Sequence, residues 1–204
     1  MSRFDNIDCM IGMAEYEDNH FDLCICDPPY GIKIQDIWGK EKYGYTEWEN
    51  KKWDSNVPDD NYFNELFRIS KEQIIWGGNY YKLRPTMGWI IWDKGQRGFT
   101  LADGEMAWSS FNKAMRIFEY ARAKANNQHR IHPTQKPIAL YKWLLTKYAK
   151  EGDLILDTHV GSASSLIACE DMGFNYVGFE LDEEYYNSAQ KRLTQFRSQL
   201  KLAI

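Results

Sequence analysis

Asp27-Pro28-Pro29-Tyr30-Gly31 is the first stretch of this chain whose residue types and spacing suit chemistry. It follows Leu23-Cys24-Ile25-Cys26, a short apolar run that reads as a buried strand. Ligands in open α/β sheets collect at the carboxyl ends of strands. Neither proline has a backbone N–H to donate, each fixes its own φ, and each pushes the residue before it out of the helical region. The product is a stiff, extended corner whose carbonyls are placed to accept hydrogen bonds. Asp27 adds a carboxylate and Tyr30 a ring face, which together make a holder for a flat group bearing an NH2. The plainer reading is a Pro-Pro turn closing a strand beside a surface aspartate, and a motif this short does not choose between the two.

A second constellation lies at residues 154–182. Leu154-Ile155-Leu156 reads as a strand ending at Asp157, and Thr158-His159-Val160-Gly161-Ser162-Ala163 as a small-residue turn. A helix to Met172 follows, then a strand over Phe174–Phe179 ending at Glu180. This is the spacing of a nucleoside-binding βαβ unit: the turn lets a ligand approach the backbone, and the acid takes ribose hydroxyls. Only Gly161 of a dinucleotide glycine fingerprint is present, with Ser162 and Ala163 beside it, so an adenosine ligand without a pyrophosphate fits better. The plainer reading makes Gly161 a helix-packing residue and Glu180 a capping acid.

The remaining elements must position these two sites. A short strand and turn over residues 4–9, a helical spacing from Met10 to Asp18, and the strand Asp22–Cys26 open the chain. Residues 32–59 are polar, Lys-rich and aromatic (Trp38, Tyr43, Tyr45, Trp48, Trp53) without a clear period; they read either as a mobile lid whose rings could stack on bases, or as an irregular surface excursion packed by its own tryptophans. Asp59-Asp60 caps an expected helix over Asn61–Ser70, with Phe63, Leu66, Phe67 and Ile69 as its apolar stripe. Strands are expected at Gln73–Trp76, Gly88–Trp92 and Met106–Ser109, and an edge strand at Met115–Tyr120. A basic linker over 121–131 leads to a helix opened by Pro137, a position proline favours, with Leu140, Trp143, Leu144 and Tyr148 buried. A last helix runs from Asp182 to Leu200. Strands alternating with helices imply a parallel-rich sheet covered on both faces.

Composition narrows the class. The chain has 204 residues, 44% hydrophobic and 26% charged, and suits one domain of an ordinary soluble globule. No apolar run is long enough to cross a membrane, and the start has no signal-peptide core. Cys9, Cys24, Cys26 and Cys169 lack metal-ligand spacing, so no metal is expected and a reducing cytoplasmic setting fits. The net charge is −4, yet residues 121–150 hold seven Lys or Arg and no acid, and residues from 151 onward hold nine acids and four bases. A basic side on an acidic chain is a solvated helix face or the footprint of a nucleic-acid enzyme.

Taken together, the Asp-Pro-Pro-Tyr corner, the block His132-Pro133-Thr134-Gln135-Lys136-Pro137 and the later cofactor-type turn resemble the β-group of S-adenosylmethionine-dependent DNA amino-methyltransferases, which act on N6 of adenine or N4 of cytosine. Ile75-Trp76-Gly77-Gly78-Asn79, Trp92-Asp93-Lys94 and Ala107-Trp108-Ser109-Ser110 extend the resemblance over nearly the whole chain. The turn departs from the family's usual pattern at His159, where Phe is usual, and at Ala163, where Gly is usual. The resemblance implies a Rossmann-like methyltransferase fold in one domain: a mixed, largely parallel seven-stranded sheet with helices on both faces and a circularly permuted motif order. It implies a methyl transferred from S-adenosylmethionine to a DNA adenine amine on a flipped base. Asp27, Pro28, Pro29 and Tyr30 would be catalytic, with the Asp27 carboxylate and the Pro28 carbonyl accepting the amine's N–H groups and Tyr30 stacking on the base. Asp8, Asp27, His132, Thr134, Lys136, Asp157, His159, Gly161, Ser162, Ala163 and Glu180 would bind the cofactor, Lys136 through its carboxylate. Enzymes of this look occur in restriction–modification systems and phages. The partners implied are duplex DNA and, as a second possibility, another copy of the chain. N4-cytosine methylation, an RNA substrate, and a fold that only binds nucleic acid stay open as alternatives.

Overall fold

The computed structural model describes residues 1–33, 54–98, 102–126, 130–132 and 134–202. Its strands are β1 (Arg3–Asn6), β2 (Phe21–Cys26), β3 (Ser70–Trp76), β4 (Ile90–Asp93), β5 (Gly104–Ser109), β6 (Arg116–Glu119), β7 (Leu154–Asp157) and β8 (Asn175–Glu180). Its helices are α1 (Cys9–Met13), α2 (Asp60–Ile69), α3 (Arg122–Asn126), α4 (Ile138–Tyr148), α5 (Ser164–Met172) and α6 (Glu183–Leu202), with a short 3₁₀ turn at Gly78–Tyr80.

The strands form one sheet in the order β1-β8-β7-β2-β3-β5-β4-β6. Only β5 runs against its neighbours β3 and β4; the other pairings are parallel. The chain builds outward from β2 toward β6, then returns to lay β7 on the other flank of β2. The β2–β7 boundary is therefore the topological switch point, with Leu23 beside Ile155 and Cys24 beside Leu156. The crevice outside the carboxyl ends of such a pair is where open α/β sheets take ligands. Both the Asp27 corner and the 158–163 turn leave the sheet there. Because β5 is reversed, its first residues, Gly104 and Glu105, lie on this same edge, opposite Asp93 and Trp92.

The sheet is buried on both faces, and β2 shows how. Leu23 and Ile25 join a core with Leu140 and Leu144 of α4 and Leu166 and Ile167 of α5. Cys24 and Cys26 point the other way, into a core with Met13 of α1 and Leu66 and Ile69 of α2. The strand's two-residue alternation thus feeds two apolar layers, which is why it reads as an unbroken apolar run.

Several sequence-based expectations change. The expected seven strands are eight. The two edge strands, β1 and β6, are among the least buried, with Phe4 and Phe118 packed against the core. Residues 121–131 contain α3, whose Ala125 is buried in the core, so this stretch is more than a linker. Pro137 is the N-cap of α4, one residue before its first turn. In α2, Tyr62 is buried and Phe67 is exposed, and Tyr141 and Leu145 join the buried face of α4. Residues 34–53 of the expected lid, with all five of its aromatic residues named above, lie outside the described residues. Among the described residues, no helix is long and apolar enough to cross a membrane.

Asp59 caps α2 by accepting the Tyr62 N–H at 3.0 Å, and Leu66 is fully buried beneath it. Leu66→Ala should lower the stability to urea denaturation by about 2–5 kcal/mol, the usual cost of emptying a packed leucine site.

Candidate active site

The corner after β2 is fastened from two directions. Asp54, itself buried, accepts the N–H groups of Tyr30 at 2.7 Å and Gly31 at 2.9 Å with a single carboxylate oxygen. The Tyr81 hydroxyl lies 2.8 Å from the Pro28 carbonyl and 3.1 Å from that of Pro29. The Pro28 carbonyl is therefore not idle, but one of its two lone pairs remains for a ligand. The Tyr30 ring lies against the backbone of Gly77, where a Cβ would fall 2.2 Å from a ring carbon and where φ is +72°. Glycine is required there on both counts. Tyr80 stacks on Tyr30, with centroids 5.1 Å apart and planes at 17°.

Behind the corner runs a row of four alternating charges: Asp27, Lys136, Glu105 and Lys94. The Lys136 ammonium bonds the Asp27 carboxylate and sits 3.1 Å from Glu105, and Lys94 reaches the other oxygen of Glu105 at 2.6 Å. Lys136 also lies 3.1 Å from the Tyr30 hydroxyl and over the Trp76 ring, and Tyr30 in turn donates to Asp27 at 2.6 Å. The Lys136 side chain is only 2% exposed. It pairs with two protein carboxylates, Asp27 and Glu105, while lining the cavity where a ligand carboxylate is expected. Burial pushes the Asp27 carboxyl up; Lys136 pulls it down by less, and Glu105 adds to the rise. Burial also pushes Glu105 up, but its two lysines outweigh that and hold it at about 2.

The second constellation forms at the end of β7. Gly161 and Ala163 both adopt left-handed φ, +54° and +59°. Glu180, at the end of β8, accepts the Gly161 N–H at 2.8 Å and the Asp182 N–H at 2.9 Å, one on each oxygen. Asp157 is buried, accepts the His159 N–H at 3.0 Å and bonds the Ser165 hydroxyl; burial pushes its carboxyl up to about 7. The Ser162 carbonyl accepts from Arg192 at 2.6 Å. His159 bonds Thr158 at 3.0 Å, and Thr158 meets the Tyr62 hydroxyl at 2.7 Å. Across the turn, the His132 ring faces Gly161 and stands edge-on to Tyr185 at 4.4 Å, with the Thr134 hydroxyl 3.2 Å from its Nδ1.

These groups open into one cavity of about 960 Å³. Asp8, Asp27, Pro28, Pro29, Tyr30, His132, Thr134, Lys136, His159, Gly161, Ser162 and Glu180 line it. Asp157 and Ala163 do not. They lie beneath the turn and shape it, Asp157 by its hydrogen bonds and Ala163 by its backbone. Asp8 lines the cavity while capping α1 through the Met10 N–H at 2.7 Å. Glu105, Asp54, Tyr80 and Tyr81 are not among the residues the sequence singles out, and Lys94 stands there only within the Trp92-Asp93-Lys94 block. Glu105 follows a glycine in a strand without a distinctive pattern, and Asp54 lies far along the chain from the corner it holds. The stretch Gly77-Gly78-Asn79-Tyr80-Tyr81, beside a strand end, was the available signal for the tyrosines.

Burial pushes His159 down to about 4, from 6.5 when exposed. On unfolding the imidazole takes up a proton that the folded protein refuses. Its contribution to stability is therefore full above pH 6.5 and shrinks as the pH falls toward 4. Urea denaturation of His159→Asn should show a flatter loss of stability across that window than the unaltered chain.

A family model described as DNA methylase, covering N6 and N4 methyltransferases, matches residues 76–191. The type II methyltransferase M.HpaI of Haemophilus parainfluenzae is 27% identical over 229 residues, spanning 89% of this chain and 70% of that protein. The solved M1.HpyAVI–SAM complex superposes with a TM-score of 0.64 at 19% identity, over 94% of this chain and 100% of that one. The cytosine-N4-specific PvuII DNA methyltransferase gives a TM-score of 0.60 at 12% identity, over 96% and 91%. At these identities the structures establish a shared Rossmann-like fold. The family match begins at Trp76 and covers more than half of the chain, from the end of β3 through the Lys136 block, the 158–163 turn and Glu180. The chain belongs to the N6/N4 DNA methylase family.

Proposed function

We propose that this chain transfers a methyl group from S-adenosylmethionine to the N6 amine of adenine in DNA, on a base flipped out of the duplex. The observation behind this reading is that the Asp27 corner and the 158–163 turn open into one cavity at the switch point of the sheet. One site suits an NH2-bearing ring and the other a nucleoside, so the two ligands would meet across a shared space. A duplex base cannot reach such a pocket without leaving its stack.

The residues present fit the cofactor. Glu180 closes the turn from the end of β8, and each of its oxygens keeps lone-pair capacity for a ribose hydroxyl. Gly161, facing His132, leaves the backbone open where a side chain would stand. S-adenosylmethionine supplies an electrophilic methyl on a sulfonium. The chain's own task is to orient and polarise the amine, whose lone pair is delocalised into the ring. Asp27 and the free lone pair of the Pro28 carbonyl accept its two N–H groups, which favours a pyramidal nitrogen. Placement and electrostatics of this kind need no covalent intermediate. Tyr30, fixed by Gly77, Asp27 and Asp54, gives the base a rigid wall.

Cytosine N4 is the second reading, favoured by the likeness to the cytosine-N4-specific PvuII enzyme. Aspartate before Pro-Pro-Tyr leans toward adenine by family resemblance. Methylation of duplex DNA with methyl-labelled S-adenosylmethionine, followed by nucleoside analysis, should give N6-methyladenine. N4-methylcytosine in its place would move the target to cytosine, and no label in DNA would refute the activity. Asp27→Ala should cut the rate by about 100-fold or more, in the range for a positioned acceptor. Glu180→Ala should weaken cofactor binding by about 1–3 kcal/mol in calorimetry; unaltered affinity would remove Glu180 from the site.

A further inference from the structure

Asp27 meets the reaction with both oxygens engaged: one accepts from the Tyr30 hydroxyl and the other holds Lys136. A carboxylate tied to the whole charge of a buried lysine is a poor proton acceptor. Yet methyl transfer to an amine needs one. Once nitrogen has formed its bond to the methyl carbon, the C–S pair stays on sulfur and nitrogen carries a positive charge. It must then release an N–H proton, with the N–H pair returning to nitrogen, and Asp27 is the group at hand.

The structure supplies a second anion to share that lysine. Glu105 lies 3.1 Å from Lys136, at the start of the reversed strand β5. It is anchored in turn by Lys94, which follows β4 and lies over the Trp92 ring. The four side chains come from three separate parts of the sheet edge and from the segment before α4, and their charges sum to zero. We propose that Glu105, itself held by Lys94, is a positioning residue for the reaction: by drawing off part of the Lys136 charge, it keeps the Asp27 carboxylate a proton acceptor. This inference rests on the reading that an amine is methylated at Asp27.

The other groups facing Asp27 act on it in the same sense in every variant below. They are the hydroxyls of Tyr30 and Tyr81, with Asp157 of β7 and Tyr141 of α4 farther off. Burial sets Asp27 above its ordinary range even beside Lys136, and Glu105 adds to that rise.

The test compares the unaltered chain with Glu105→Gln and Lys94→Met. Each variant leaves Lys136 a carboxylate partner, so neither strands it without a counter-charge. Carboxyl-carbon NMR of the protein alone, with the Asp27 signal assigned by its loss in Asp27→Asn, reads the Asp27 midpoint directly. Glu105→Gln should lower that midpoint by about one pH unit, because Lys136 then belongs to Asp27 alone. Lys94→Met should raise it, because Glu105 then pulls harder on Lys136. The acidic limb of the single-turnover methyl-transfer rate should move the same way in each variant. Glu105→Gln should also slow the plateau about tenfold, with DNA and cofactor affinities unmoved and Glu105→Asp restoring part of the rate. Midpoints that do not move, or that move the same way in both variants, overturn the role of Glu105 while leaving methyl transfer by the unaltered chain intact. Opposite shifts in a chain that labels no DNA overturn the reaction reading, and with it any role for Glu105 in the reaction.

Discussion

Everything at the ligand edge of this sheet depends on one buried ammonium. Lys136 sits between Asp27 and Glu105, over the rings of Tyr30 and Trp76, with almost no contact with water. Taking such a charge out of water costs several kcal/mol unless opposite charges meet it in good geometry. The fold meets that requirement by bringing the end of β2, the reversed start of β5 and the segment before α4 to a single point. The corner, the sheet edge and the fourth helix are thereby registered against one another by charge as well as by apolar packing. Removing either carboxylate would redistribute the lysine, while removing the lysine would leave Asp27 without its cation and Glu105 with Lys94 alone.

The apolar layers explain why that point can be so well fixed. With both faces covered, β2 and β7 have little freedom to slide, because a one-residue slip would exchange Leu23 and Ile25 with Cys24 and Cys26 between two differently shaped cores. The loops beyond them inherit this precision. Asp157 illustrates the transfer: it lies at the end of a buried strand, touches no part of the cavity, and sets the turn above it through the His159 N–H and the Ser165 hydroxyl.

Much of this was legible in the chain itself. Strand ends followed by Asp27-Pro28 and by the small-residue turn, with Glu180 closing the next strand, are local patterns, and local patterns survive being read in one dimension. The α/β class and the places of the two half-sites followed from them. The parts played by Glu105 and Asp54, and the pairing of Lys94 with Glu105, are not legible in one dimension, because they come from pairing across the sheet or across a long stretch of chain. The reversal of β5 is what turns a strand's first residue, ordinarily far from the ligand edge, into a neighbour of the site. Lys136 stands out in the sequence, but a lone lysine in a basic stretch gives no sign of the two carboxylates folded against it. Sequence adjacency to a turn likewise does not separate the residues that line the cavity from Asp157 and Ala163 beneath it.

The bond from Asp54 to the backbone of Tyr30 and Gly31 has a consequence for the corner it holds. It closes a chain loop whose two ends are pinned to the same corner, one by the strand and one by the aspartate. The corner's shape is thus kept by the clasp at its base. Two backbone N–H groups held by one carboxylate oxygen fix the orientation of the Tyr30 ring without spending any side-chain group of the corner itself.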